Sequence, residues 1–522
     1  MSADESLETL LGTAARLRPD LQVEVVAGNV EGCRIGRLVD DSRRVEPGSG
    51  FVARPGTISD GKLHIGDAID RGASVIIAVP SAWTEVDPTS LGPVVGVSCD
   101  QPLELGTTLA GIRREDPATR LRIAGITGTN GKTTVASLVR QVLDTTVARC
   151  GSIGTIEIHD GVQSTPALVT TPGRLEIVEV LGDMVQNGCE LLAMEVSSHA
   201  LEQGRVADLN FAVAVFTNLS GDHLDYHGTM EAYARAKARL FGSLDEDAVA
   251  IVNLDDPAAA TMLQSCSART IGVTSMDARD EGSRPTVDRV VEVQTVRNEP
   301  DGMRLRWTGL GNGPIESDVP LVGMHNAFNA TVALLVAIEM GAGVPDALEA
   351  IQRVSAPRGR LEPVHGEEDS IRVYVDYAHT DDAIRTVLAA VRPFVPGESG
   401  LVAVIGAGGD RDRSKRPRMM RAALDGADRV VVTSDNPRTE DPAKIVAEVV
   451  SGASGDETSR ILEEVDRRRG IGRAIEEASA GDVVVIAGKG HEDYQIVGTQ
   501  RRPFDDHAIA REALARRREG GR

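Results

Sequence analysis

The chain reads as an α/β protein of three domains: a small α/β N-terminal domain, a central parallel-sheet domain with a small antiparallel appendage, and a C-terminal Rossmann-like domain. Three observations predict this. Its 522 residues exceed what a single core serves, at roughly 100 to 200 residues per domain. Apolar runs of strand length alternate with helix-periodic stretches over much of the chain, the rhythm of βαβ units. A glycine-rich turn ending in Lys-Thr joins the clearest of those strands to the clearest of those helices. The expected divisions are residues 1–118, 119–354 and 355–522.

Residues 1–118 mix short apolar runs, at 74–79 and 94–97, with loops rich in Gly, Pro and Asp. From residue 121 the pattern sharpens into a strand over 122–126 and a helix whose Val135, Leu138, Val139 and Val142 follow the i, i+3, i+4, i+7 stripe. Strands are expected at 190–196 and 211–217, and a hairpin pairs 290–296 with 303–307 around Asp301-Gly302. After about residue 355 a second alternation places strands at 371–376, 401–405, 429–433 and 482–486.

Composition narrows the function classes. No apolar run approaches the roughly 18 to 20 residues that span a bilayer, and hydrophobic residues make up 41%. The start, MSADESLETLLGTAARL, is acidic and lacks a basic then apolar leader, so the cytoplasm is the expected address. A formal charge of -22 repels polyanions, so nucleic acid is not an expected partner. Five scattered cysteines, Cys33, Cys99, Cys150, Cys189 and Cys266, show no CxxC pair and are expected in the core, neither bridged nor metal-bound.

The run Gly125-Ile126-Thr127-Gly128-Thr129-Asn130-Gly131-Lys132-Thr133-Thr134 sets a glycine at every third position before Lys-Thr. Glycines let successive N–H groups point inward, the helix that follows offers its positive end, and the lysine reaches the outer phosphates. The central domain is therefore expected to be P-loop ATPase-like, with Thr133 on Mg²⁺. The first glycine stands one residue too early for GxxxxGK[ST]. A loop that merely turns strand into helix is the plain alternative.

Glu195 closes the strand over 190–196, at a carboxyl end where ligands of α/β sheets gather, and a carboxylate there suits Mg²⁺. His223, in Asp222-His223-Leu224-Asp225, lies past the next strand and is expected to reach the same crevice, although alone it reads as a loop histidine. Lys237 falls inside the apolar stripe Met230, Tyr233, Ala234, Leu240, Phe241 of a helix over 229–241. Burial favours its neutral amine, which can add carbon dioxide to become a carbamate able to hold a second Mg²⁺. A stem covering apolar surface is the alternative.

Taken together, these motifs resemble those of the Mur ligases along nearly the whole chain. The form GxxGxxGK[ST] is the family's own. Thr170-Thr171-Pro172-Gly173, Glu195-Val196-Ser197-Ser198-His199, Asp222-His223-Leu224-Asp225 and Gly323-Met324-His325-Asn326-Ala327-Phe328-Asn329 look like its middle-domain motifs. Arg358-Gly359-Arg360-Leu361-Glu362 and Asp376-Tyr377-Ala378-His379-Thr380 look like its link to the third domain and ribose contact. The resemblance implies an ATP-dependent amide ligase working through an acyl phosphate, active as a monomer on small molecules. Lys132, Glu195, His223, Arg360 and carbamylated Lys237 would be catalytic. ATP would be held by Gly128, Thr129, Asn130, Gly131, Lys132, Thr133, Thr134, Asn329, Arg360 and Asp376, and two Mg²⁺ ions by Thr133, Glu195, His223 and the Lys237 carbamate. A UDP-MurNAc-dipeptide would lie on Ser42, Thr57, Ile58, Ser59, Thr170, Thr171, Ser197, Gln203 and Arg205. Val169, Asp381 and Arg54 depart from the family pattern, where asparagine, proline and an apolar residue are usual.

Gly408-Gly409-Asp410-Arg411-Asp412 and Asp435-Asn436-Pro437-Arg438 follow successive strands of the third domain. The second run resembles the signature of family members that add meso-diaminopimelate. That amino acid differs from lysine by a distal carboxylate, which a planar guanidinium grips through paired hydrogen bonds. Arg411 and Arg438 are the candidates, with Asp435, Asn436 and Pro437 around them, and Glu492 and Gly488 would take an ammonium group. Asn436-Pro437 is equally a turn signal. Lysine as the added amino acid, a folylpolyglutamate synthetase and a P-loop switch ATPase stay as rivals. Gly406-Ala407-Gly408 lacks the third glycine of a dinucleotide fingerprint.

Overall fold

The computed structural model describes residues 5–56, 60–85, 91–276 and 284–520. Three main sheets follow one another along the chain. The first has five strands in the order Val23–Ala27, Val95–Cys99, Val75–Ala78, Gly50–Ala53, Leu38–Val39. Only the outermost pair, Val23–Ala27 with Val95–Cys99, is antiparallel. The strands predicted from the runs at 74–79 and 94–97 are buried along their length, as parallel strands covered on both faces must be.

Among the described residues, eleven strands form the central sheet. Seven of them, from Arg289–Glu299 across to Cys150–Ile153, run parallel, with Arg122–Thr127 between Phe211–Phe216 and Leu191–Glu195. Helices Lys132–Thr146 and His325–Glu339 cover one face, and Arg174–Gln186 and Met230–Gly242 the other. The predicted stripe Val135, Leu138, Val139, Val142 is fully buried, each side chain worth about 1.5–3 kcal/mol of transfer free energy.

The hairpin forms the expected small antiparallel appendage, and it is continuous with the central sheet. Strand Arg289–Glu299 pairs parallel with Arg269–Ser275 on one edge and antiparallel with Gly302–Thr308 on the other, so the hairpin extends the central sheet. Eleven residues suffice for both pairings. Trp307 anchors it, its Nε1–H donating to Thr331 Oγ1 at 2.8 Å. At the opposite edge, Glu157–His159 and Ser164–Pro166 add an antiparallel hairpin without apolar alternation to announce it.

The third sheet orders Glu362–Pro363, Arg372–Asp376, Val483–Ala487, Leu401–Ala407, Arg429–Ser434, Ile461–Glu463, parallel apart from its first pair. A small hairpin, Tyr494–Val497 with Gln500–Pro503, stands beyond it. All five cysteines are free; Cys99, Cys150 and Cys189 are core residues, whereas Cys33 and Cys266 are only half-buried, a correction to the expectation for those two.

Two different junctions hold the units together. Helix Arg174–Gln186 meets the first unit through Glu179, a fully buried carboxylate that accepts from Leu38 N at 2.8 Å, Arg113 Nη2 at 2.5 Å and Arg114 Nε at 3.0 Å. Asp183 adds Arg37 and Arg114, each at 2.7 Å. The third unit meets the central one through polar groups at residues 355–360, where Ser355 N donates to Gln141 Oε1 at 2.9 Å and Arg360 reaches the phosphate loop.

Candidate active site

Because Arg122–Thr127, Leu191–Glu195 and Phe211–Phe216 are parallel neighbours, their carboxyl ends open on one edge. Thr127 leads into the loop 128–131, and Gly128 (φ +147°) and Gly131 (φ +86°) adopt backbone that favours glycine. A Cβ on Gly128 would lie 1.9 Å from Thr217 Oγ1, and one on Gly131 2.9 Å from Asn329 Oδ1. Asn329 is buried and donates to Asn326 Oδ1 at 2.8 Å, which turns its own oxygen toward the loop. Thr129 and Asn130 are tied to the chain after Phe216: Thr129 N donates to Asn218 O at 2.8 Å, and Asn130 N to Asn218 Oδ1 at 2.9 Å.

Lys132 opens helix Lys132–Thr146, and its ammonium folds back on Gly128 O and Thr129 O at 2.9 and 2.8 Å. Desolvation pushes its pKa down, against the pull of Glu195. Thr133 Oγ1 donates to Glu195 Oε2 at 3.1 Å and accepts from Arg360 Nη2 at 3.2 Å. Glu195 is 1% exposed and is further bound by Thr155 N at 2.7 Å and Thr155 Oγ1 at 3.0 Å. Thr134, next in the helix, is buried. The structure thus gathers Lys132, Thr133, Glu195 and Arg360 at one point.

Hard oxygen donors at a helix N-terminus fit Mg²⁺, and Thr133 with Glu195 supplies two. His223, the further expected ligand, stands over an aromatic cluster. Its side chain is half exposed, its backbone is left-handed (φ +54°), and its ring lies 4.9 Å from that of His199 and 6.3 Å from Tyr233. Among the described residues no group of three His, Cys, Asp or Glu could hold a metal ion. The loop over 217–224 is tied down on the phosphate loop by Asn218 and Ser220, and His223 within it lies over the aromatic cluster.

Lys237 is 1% exposed on helix Met230–Gly242, which Thr229 caps through Ala232 N at 3.2 Å. Its Nζ donates to Gly128 O at 2.8 Å and stands 4.4 Å above the Tyr233 ring. Burial, then the like charge of Lys132, holds its pKa well below the ordinary lysine range. The snorkelling alternative therefore fails, because the amine ends inside, against the phosphate loop.

Beside this point lies a polar network. Thr170 Oγ1 is 3.1 Å from Thr155 Oγ1, Thr171 Oγ1 donates to Glu195 O at 2.8 Å and accepts from Ser197 N at 3.0 Å. Arg205 binds Thr171 O at 2.7 Å and Gln203 Oε1, and Gln203 donates to Tyr226 Oη at 3.3 Å. Arg205 loses proton affinity through burial first and the charge of Arg54, in the first unit, second. Arg54 itself pairs with Asp40 at 2.8 Å. Ser42 is buried at the start of the turn Ser42–Arg44. Thr57, Ile58 and Ser59 lie outside the described residues.

Asp376 ends its strand at the corresponding edge of the third sheet and accepts from Leu361 N at 2.7 Å and Ala378 N at 2.8 Å. Burial raises its pKa, with the Arg360 charge opposing. Arg360 lies over the Tyr377 ring at 4.9 Å, a contact that sequence reading missed although Tyr377 follows the strand directly. Asp381 takes the first helical position after the cap Thr380, where a carboxylate complements the helix dipole much as proline would suit its geometry.

Gly408 places Arg411 and Arg438 together: a Cβ there would lie 3.0 Å from Arg438 Nη1 and 3.8 Å from Arg411 Cγ. Asp435 and Asn436 are buried behind them, and Pro437 O meets Gly409 so closely that a Cβ would sit 1.9 Å away. A Cβ on Gly488 (φ +123°) would lie 2.7 Å from Asp435 Oδ2. Glu492 was expected to take a ligand ammonium, but its Oε2 already accepts from Lys489 Nζ at 3.0 Å and Asn436 Nδ2 at 2.8 Å. Lys489, fully buried, is a residue the sequence reading passed over; its place just after strand Val483–Ala487 was the available signal.

Comparisons with known proteins identify relatives over nearly the whole chain. Residues 126–337 match the family described as Mur ligase middle domain, and residues 359–490 that described as Mur ligase, glutamate ligase domain. A Gloeobacter violaceus protein named UDP-N-acetylmuramoyl-L-alanyl-D-glutamate--2,6-diaminopimelate ligase is 42% identical over 501 residues, covering 94% of this chain and 96% of its own. A Geobacillus thermodenitrificans protein of the same name is 40% identical, covering 92% and 94%. A solved structure under that name is 34% identical with a TM-score of 0.60, covering 95% and 97%. A Mycobacterium tuberculosis folylpolyglutamate synthase, at 19% identity and a TM-score of 0.57 over 80% of this chain, shares the fold.

Proposed function

The chain belongs to the Mur ligase family, and we propose that it joins meso-diaminopimelate to the D-glutamyl γ-carboxylate of UDP-MurNAc-L-Ala-D-Glu at the expense of ATP, in cytoplasmic peptidoglycan precursor synthesis. One observation carries the reading: Arg360, from the third unit, bonds Thr133 in the first turn after the phosphate loop, which supports a nucleotide site completed by the unit that carries the amino-acid loops.

A γ-carboxylate oxygen attacks the terminal phosphorus of ATP, the bond to ADP breaks, and an acyl phosphate forms. The diaminopimelate amine then attacks the carbonyl carbon, phosphate leaves with the acyl oxygen, and the amine sheds a proton. Activation is needed because a carboxylate is a poor electrophile. Lys132 and Arg360 stabilise charge on the transferring phosphoryl group, the effect on which such transfer chiefly depends. Asn329 and Asp376 hold the nucleoside end. Ser42, Thr57, Ile58 and Ser59 seat the uridine end, and Thr170, Thr171, Ser197, Gln203 and Arg205 align the dipeptide.

Thr133 and Glu195 would hold Mg²⁺, and a carbamate on Lys237 together with His223 a second ion; bound there, the metal supplies positive charge to the phosphate oxygens. Residues 119–354 act as the ATP-binding domain between the UDP-sugar domain, 1–118, and the amino-acid domain, 355–522. The protein works as a monomer on small molecules. Among the described residues no helix is long and apolar enough to cross a membrane.

Purified protein with ATP, Mg²⁺ and UDP-MurNAc-dipeptide should release phosphate with meso-diaminopimelate and little with L-lysine or without an amino acid. Preference for lysine would reassign the substrate. Release stimulated by a macromolecule and indifferent to amino acids would remove the ligase reading.

A further inference from the structure

Two residues that are not glycine hold left-handed backbone in the amino-acid loops, Asp410 at φ +53° and Arg438 at φ +50°. Such conformations are strained and persist only where surroundings impose them. Here the two loops impose them on each other. Thr439 Oγ1 donates to Asp410 Oδ1 at 2.7 Å and Thr439 N to Oδ2 at 3.1 Å, while Asp410 N donates to Glu440 Oε1 at 2.6 Å. Glu440 is held in turn by the fully buried Arg416, through Nη1 at 3.1 Å and Nη2 at 2.9 Å, and Arg416 also binds Gly408 O at 3.1 Å. Gly409 N reaches Asn436 O at 2.9 Å, and Arg438 Nη1 reaches Gly409 O at 2.8 Å.

Resting on the reading that Arg411 and Arg438 receive the distal carboxylate, we infer that Asp410 and Thr439 are positioning residues for amino-acid selection, their bridge fixing the spacing between the two guanidiniums. Arg411 directly follows Asp410, and Thr439 directly follows Arg438, so the bridge joins the two arginine-bearing segments at adjacent residues. Both bridging side chains are exposed, and exposed polar bonds contribute little to global stability. What they set is geometry. Hydrogen bonds from Thr439, first by its hydroxyl and then by its N–H, hold the Asp410 carboxyl below the usual range, so the acceptor stays charged at neutral pH.

Thr439→Val removes the hydroxyl and keeps both volume and N–H. Its KM for meso-diaminopimelate should rise about ten-fold, as loosened alignment costs roughly 1.4 kcal/mol for each such factor. Its kcat, KM for ATP and Tm should stay near wild type, and Thr439→Ser should restore the KM. A wild-type KM in Thr439→Val overturns the inference. So does a KM that rises together with a lowered Tm or a raised KM for ATP, which assigns a merely structural role. Arg438→Ala, assayed alongside, separates the two readings. If it too leaves the KM for meso-diaminopimelate unchanged, the arginine assignment has failed and the inference falls with it. If it raises that KM while Thr439→Val does not, only the positioning role is lost.

Discussion

Glycine is indispensable at both the phosphate loop and the amino-acid loops, for different reasons. Gly128 and Gly131 adopt positive φ within one continuous run, beside the lysine and threonine that the run exists to present. Gly409 has no such backbone; it is needed because a second loop, arriving from 28 residues further on at Pro437, brings a carbonyl against it. The first site is a local conformation and the second an encounter between segments. Local sites announce themselves as patterns, whereas encounters are visible only once both segments are in place.

Lys132→Ala tests the local site and should have the largest effect. Its kcat should fall by about a thousand-fold or more, on the scale of losing a group aimed at developing charge, with circular dichroism and Tm unchanged. Normal turnover by a folded mutant would remove the phosphate-loop assignment. Lys237→Ala should come next: ligation is lost and short added carboxylates partly restore it, since they stand in for the carbamate. Wild-type rates in carbon-dioxide-free buffer would show that no carbamate is needed.

Arg438→Ala moves the test to the encounter. Truncating one partner of a buried charge pair costs on the order of 2–5 kcal/mol, about thirty- to several-thousand-fold in kcat/KM for meso-diaminopimelate. KM for ATP should hardly change, and lysine use should not fall in parallel, because lysine has no distal carboxylate to lose. Equal losses for ATP and diaminopimelate would mean that the two loops are not separable sites. Gly409→Ala should be milder, since overpacking costs roughly 1–3 kcal/mol and here displaces one loop. A rise in KM for meso-diaminopimelate with unaltered ATP binding supports the contrast; equal damage to both erases it.

The junctions between units repeat the lesson. Glu179, buried among Leu38 N, Arg113 and Arg114, ties the first unit to the central one, yet in the chain it is one acidic residue on an otherwise ordinary helix. Its partners lie 141, 66 and 65 residues away.

The sequence by itself determined the alternation of strands and helices, the buried stripe of helix Lys132–Thr146, the phosphate loop and the two arginine-bearing loops, and it placed Lys237 in an apolar stripe without deciding where its amine ends. These follow from periodicity and from short runs whose backbone chemistry is complete within a few residues. Tertiary structure alone decided that the hairpin at 289–308 extends the central sheet, that His223 faces His199 and Tyr233, that Lys489 occupies Glu492, and that Thr439 bridges to Asp410. Each of these depends on which edge, ring or carboxylate arrives opposite, and pairing across a fold is a property of two segments at once. A pattern read along one segment carries no information about the other's position.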